Sequence, residues 1–257
     1  MVTKKDLAEV LRTELSGGSL IHVHSSLSSF GYMDGGAEAV ISALEEAAAP
    51  GGTLSMPALC QKDKERRFET WDITNSPSDV GRITEVFRLQ PNTMRSDHPT
   101  HSVCARGSLA SELTQGHRTG KQRQGPWGGY AFGHNSPWQK LYGFDATVIL
   151  LGTDMKTSTL IHFVEHIIAE DAVLNNPREK AEILKERLSG WNKPGIWPRY
   201  DPMALQSQME ERGLLKYVLC GKCQIILYKT RDMVDLAFEI MRKEPKKWFS
   251  PEFAEWL

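Results

Sequence analysis

The sequence has no apolar run approaching the roughly 18 residues of a membrane helix, and only four cysteines, Cys60, Cys104, Cys220 and Cys223, in 257 residues. The first absence argues against a helical membrane span. The second argues against a disulfide framework of the small secreted kind and points to a reducing compartment. Neither charge is in excess: 31 Lys+Arg stand against 32 Asp+Glu, for a formal net charge of −1, and no run of five like charges occurs. A sequence-blind binder of nucleic acid or of an anionic membrane would carry a basic patch visible in composition, so neither partner is expected. Lys4, Lys5, Asp6 and Glu9 fall where an export signal needs apolar residues, which predicts a cytoplasmic protein. Internal repeats, low-complexity tracts, a Walker lysine pattern and the Gly-x-Gly-x-x-Gly spacing are absent too, so the phosphate and dinucleotide fingerprints they mark are not expected.

What is present is an alternation of helix-like and strand-like patterns that reads as one α/β domain over residues 1–257. Thr3 to Asp6 forms a capping box ahead of Leu7, Val10, Leu11 and Leu15 at helical spacing. A strand from Ser19 to His24, a helix from Gly36 to Ala49 and a strand from Thr53 to Met56 make a β-loop-α-β unit. Ser78 is placed to cap a helix carrying Ile83, Val86 and Phe87. Ser102 to Ala105 and Ala146 to Leu151 read as buried strands, Ser158 to Glu170 as an amphipathic helix, Tyr217 to Tyr228 as a hairpin turning at Gly221-Lys222, and Met233 to Met241 as a closing helix. Residues 115–137 lack a period and are expected to form a folded surface loop bordering a pocket, and Asn175 to Asp201 to form a loop rich in Pro and Trp.

Three stretches carry chemistry-bearing residues. The turn after the first strand, His24-Ser-Ser-Leu-Ser-Ser-Phe-Gly31, lies ahead of Gly35-Gly36 and a helix, and backbone amides with serine hydroxyls there suit a phosphate. His22 and His24 share a strand face without an evident third ligand, so they are taken as non-metal. In Arg95-Ser-Asp-His98-Pro-Thr-His101, a histidine at a strand entrance can serve as base, donor or polar cap. In Thr157-Ser-Thr-Leu-Ile-His162-Phe-Val-Glu165-His166, spacings of three and four put His162, Glu165 and His166 on one helix face. His-x-x-Glu-His is also the inverted zinc-peptidase pattern, in which His162 and His166 would bind zinc, Glu165 would activate water and Glu239 could complete the site. Cys220-Gly-Lys-Cys223 falls at a hairpin turn rather than at a helix start, so a structural role is expected for it.

These stretches occur together and in order. With Ser136-Pro-Trp-Gln-Lys-Leu-Tyr142, Ile149-Leu-Leu-Gly152 and Gly221-Lys-Cys-Gln-Ile-Ile-Leu-Tyr228, they resemble the antibiotic (aminoglycoside) N3-acetyltransferase family over nearly the whole chain. The resemblance implies that family's α/β fold, a central mixed sheet flanked by helices and distinct from the commoner acetyltransferase (GNAT) fold. It also implies an enzyme that uses acetyl-CoA, without a metal, to acetylate an aminoglycoside amine in antibiotic resistance. On this mapping His24, Ser25, Ser26, Leu27, Ser28 and Ser29 line the CoA tunnel, with Ser102 and Val103 alongside. His162 is expected as general base, with Glu165 orienting it or binding the substrate cation, and Ser26 or Thr157 is a candidate for the oxyanion site. A polycationic acceptor needs carboxylates, and Asp72, Asp79 and Glu170, together with His98, are the expected substrate-binding set; residues 61–80, however, hold four cations against five anions. An acyltransferase of the same fold with another amine acceptor, a zinc hydrolase and a non-enzymatic CoA binder are the alternatives, and a homodimer is compatible with all of them.

Overall fold

The computed structural model describes residues 1–60, 66–189 and 196–257. Asp63 and Glu65, two of the five anions counted over residues 61–80, and Trp191, a tryptophan of the expected Asn175–Asp201 loop, lie outside the described residues. The chain opens with α1 (Lys4–Arg12), whose capping box is formed as expected, Thr3 accepting from the Asp6 amide and Asp6 from the Thr3 amide. Then come β1 (Leu20–Ser25), α2 (Gly36–Ala48), β2 (Thr53–Pro57), α3 (Arg67–Thr70), α4 (Arg82–Leu89), β3 (Met94–Arg95), β4 (Val103–Gly107) and α5 (Ala110–Thr114). The second half comprises α6 (Pro137–Gly143), β5 (Thr147–Leu151), α7 (Leu160–Asn175), α8 (Arg178–Ser189), α9 (Pro202–Glu211), β6 (Lys216–Cys220), β7 (Cys223–Lys229), α10 (Thr230–Lys243), α11 (Pro245–Trp248) and α12 (Pro251–Ala254).

The strands form one mixed seven-stranded sheet in the order β3-β4-β2-β1-β5-β7-β6. Its centre is parallel: β1 pairs with β2 on one side and with β5 on the other, while β4 and β7 run antiparallel outside them. Alternation divides the apolar side chains into two cores, one per face. Val148, Leu150 and Val103 pack with Trp138 and the buried side of α7, whereas Ile21, Val23, Ile149 and Leu151 pack with α1 and α2. Because β2, β1 and β5 are parallel, Pro57, Ser25 and Leu151 end on the same sheet edge, the position at which open α/β sheets bind ligands. Among the described residues, no helix is long and apolar enough to cross a membrane.

Three expectations are corrected. Gly81 at φ +132°, not Ser78, is the N-cap of α4, and the Ser78 amide instead donates to the Glu85 carboxylate at 2.7 Å. Within the expected Asn175–Asp201 loop the chain forms α8, where Ala181, Leu184 and Leu188 are buried at helical spacing behind a highly charged outer face. The helix expected to end at Glu170 continues to Asn175.

Candidate active site

The site is built from the bottom by β1 and from above by α7. At the C-terminal end of β1, His24 and Ser25 line a cavity of about 250 Å³ with Pro57, Val80, Thr84, Thr153, Thr157 and Thr159. Among the described residues no lining side chain is charged: His24 is buried, and burial pushes its imidazole down to about 3. His24 Nε2 and Thr153 Oγ1 are buried without a hydrogen-bond partner among the described residues. Leaving such groups unpaired is costly, so a pocket edged by them favours a ligand with carbonyl or amide groups. The threonines of this wall carried no periodic signal in the sequence, because they come from a loop, two helices and a turn.

One turn along α7 from Thr159, the His162 ring is about one third exposed, and its Nδ1 lies 3.0 Å from Glu165 Oε2. Glu165 is buried and also receives the indole N–H of Trp197 at 2.8 Å. With the carboxylate as acceptor, Nδ1 carries the proton, which leaves the Nε2 lone pair free to take another. The i,i+3 spacing that puts the two side chains on one face thus orients the imidazole against a buried carboxylate. Around it stand aromatic rings: Trp127 at 4.6 Å from the His162 ring, with His101 and Phe132 each at 6.3 Å. Sequence reasoning missed Trp127 and Phe132, which lie in the aperiodic 115–137 loop, and the partnership of Trp197 with Glu165.

The zinc alternative finds no support in this geometry. Glu165 is committed to His162 and Trp197, and His166 Nδ1 donates to the His162 carbonyl at 2.7 Å. The Gly125 backbone closes over His166 Nε2 so tightly that a Cβ there would collide with it. Glu239 is exposed on α10, and among the described residues no three His, Cys, Asp or Glu side chains converge as a ligand set.

The other expected residues are dispersed in role. In the serine turn, the Ser26 amide donates to the Leu151 carbonyl and its hydroxyl meets that of Ser28 at 3.1 Å, while Leu27 to Phe30 form one 3-10 turn. Ser29 turns away, its hydroxyl donating to the Ser26 carbonyl at 2.7 Å and lying 3.1 Å from Cys223 Sγ. Ser102 is buried, donating to the Ala58 carbonyl at 2.7 Å and accepting from Arg95 at 3.0 Å, and Val103 is wholly in the core. His98 is buried and stacked on His117 at 4.8 Å, its Nδ1 accepting the amides of Thr100 and His101. Burial and the neighbouring His117 hold its pKa well below the usual range. Asp72 is exposed and closes its own turn by accepting from the Thr74 and Asn75 amides, and Asp79 is exposed next to Val80 of the cavity wall. Both oxygens of Glu170 are taken by Lys121, Arg123 and His134.

A family model described as Aminoglycoside 3-N-acetyltransferase matches residues 22–242. The chain is 28% identical over 276 aligned positions to the SPbeta prophage-derived aminoglycoside N(3')-acetyltransferase-like protein YokD of Bacillus subtilis (strain 168), covering 96% of this chain and 92% of the relative. Among solved structures, a mutant of aminoglycoside acetyltransferase AAC(3)-IVa in complex with a gentamicin superposes with a TM-score of 0.74 at 23% identity, covering 97% of this chain and 92% of the other. The AAC-IIIb binary complex with CoASH does so at 0.72 and 22% identity, covering 97% and 98%.

Proposed function

The chain belongs to the aminoglycoside 3-N-acetyltransferase family, and from that premise we propose that it moves the acetyl group of acetyl-CoA directly onto the 3-amino group of an aminoglycoside, with His162 as general base. The observation that carries this is the 3.0 Å contact between His162 Nδ1 and Glu165. An alkylammonium is not a nucleophile; it must give up a proton before or as it attacks the thioester carbonyl. The free Nε2 of His162 receives that proton, and Glu165, fixed by Trp197, stabilises the resulting imidazolium. The amine nitrogen bonds to the carbonyl carbon, the carbon–sulfur bond breaks, and the departing CoA thiolate takes the proton held by the His162 imidazolium and leaves as the thiol, while the nitrogen loses its extra proton to solvent as the amide forms.

The cavity under Thr159 suits the acyl end of the CoA arm. Among the described residues its wall is uncharged and rich in hydroxyls and its buried His24 Nε2 and Thr153 Oγ1 lack partners, and it lies beside the turn of α7 that carries His162. The uncharged wall leaves the phosphates to the outer serine turn, where Ser28 is exposed. The Ser102 hydroxyl and the Val103 amide already donate within the protein, to the Ala58 carbonyl and to Ser96 Oγ, so neither is offered to the CoA arm as a donor. Support for both substrates comes from neighbours of the same fold, one bound to CoASH and one to a gentamicin. Direct transfer requires both substrates to be bound together. Initial velocities at varied acetyl-CoA and acceptor test this: intersecting reciprocal lines are expected, and parallel lines would show a covalent acyl-enzyme instead.

A further inference from the structure

Glu170 has the best-satisfied carboxylate in the neighbourhood of the site. Lys121 Nζ and His134 Nε2 lie 2.7 and 2.9 Å from Oε1, and Arg123 Nε lies 2.7 Å from Oε2. Desolvation alone would raise its pKa, but the hydrogen bonds from Lys121, His134 and Arg123 together bring it down to about 2. All three partners belong to the 115–137 loop. Arg123 is buried and spends its remaining donors on the Phe132 carbonyl and Gln139 Oε1, each at 2.8 Å, while the His134 amide donates to the Lys121 carbonyl at 2.9 Å. The loop segment between residues 121 and 134 is therefore tied at both ends to one point on α7, two turns beyond His162. Within it, Trp127 packs against His162, and Gly125 and Phe132 cover His166.

We propose that Glu170 is a positioning residue for the catalytic base: its clasp on Lys121, Arg123 and His134 holds Trp127 against His162, where the indole face favours the imidazolium. The inference deepens the acetyltransferase reading and rests on it for the role of His162. A carboxylate already matched by three internal partners has little left to offer a substrate amine, and an indole within about 6 Å of a forming cation is attractive. The titratable groups facing His162 are Glu165 and His166 from α7 and His101 from the β4 entrance. Burial keeps both of those neighbouring histidines neutral around pH 7, so neither masks the contribution of Trp127.

The test is the titration of the His162 imidazole by NMR, together with the acid limb of kcat/KM, in Glu170→Gln, Trp127→Leu and the double variant. Each single variant is expected to lower the His162 pKa by about half a pH unit, the double variant by no more than either, with CoASH affinity unchanged. Additive shifts would mean that Glu170 acts through its own field, and overturn the proposal. So would an unmoved titration in which KM instead rises with the number of amines on the acceptor, the signature of a carboxylate that binds substrate. His134→Gln removes one tie of the three and is expected to shift the titration in the same direction by less; no shift in it or in Trp127→Leu counts against the clasp even if Glu170→Gln fails to fold. The NMR titration needs no turnover, so a wild type inactive with every aminoglycoside would sink the acetyltransferase reading while still deciding this one.

Discussion

At the scale of single residues, the proposed chemistry turns on which nitrogen of His162 is free. Glu165 accepts a hydrogen bond from the protonated Nδ1 and is itself held by Trp197 at 2.8 Å, so the imidazole is oriented before any substrate arrives. His162→Ala should lower kcat by about 10²–10⁴-fold, the usual worth of a positioned general base, while leaving CoASH binding intact by calorimetry. Glu165→Gln should also lower kcat while sparing CoASH binding, because the amide cannot stabilise the imidazolium. Trp197→Phe removes one hydrogen bond to that carboxylate, and its kcat is expected between the wild type and Glu165→Gln. An unchanged kcat in Trp197→Phe would show that Glu165 needs no second partner. The pair itself was legible in the sequence, since spacing alone puts His162 and Glu165 on one face. The roles of Glu170, Ser102 and Ser29 were not: residue type announces a carboxylate or hydroxyl but not whether the fold has already spent it.

At the scale of elements, the strands and long helices followed from periodicity, as α1, β1, α2, β5 and the β6–β7 hairpin show. What escaped was α8, whose polar composition hid three buried positions, and the wall of the site, because loops place side chains by tertiary contact rather than by repeat. Gly152 shows how tightly β5 meets the serine turn: at φ +64° its missing Cβ makes room for the Ser29 side chain. Gly152→Ala should therefore cost about 1–3 kcal/mol in chemical denaturation and raise KM for acetyl-CoA, by displacing the turn beside His24. Unchanged stability in that variant would mean the turn gives way without cost.

At the scale of the whole molecule, a central mixed sheet divides two cores, and the side facing α7 contains buried neutral histidines. Burial lowers His24 and His166 to about 3 and His117 to about 4. Their unfolded pKa is about 6.5, so between there and about 4 the unfolded chain binds more protons than the folded one. Stability is complete above that window and falls with pH inside it, by about 1.4 kcal/mol per unit for each histidine once well below 6.5. Thermal melts should show Tm decreasing steadily from pH 6.5 downward, with unfolding before pH 4; a flat Tm across that range would contradict the burial of these rings. The central claim is the acetyl transfer itself, and free-thiol release from acetyl-CoA with a panel of aminoglycosides, in wild type and His162→Ala, tests it most directly. Release is expected to depend on both substrates and to collapse in the variant, whereas release that survives the loss of His162, or none with any aminoglycoside, would contradict acetyl transfer by this route.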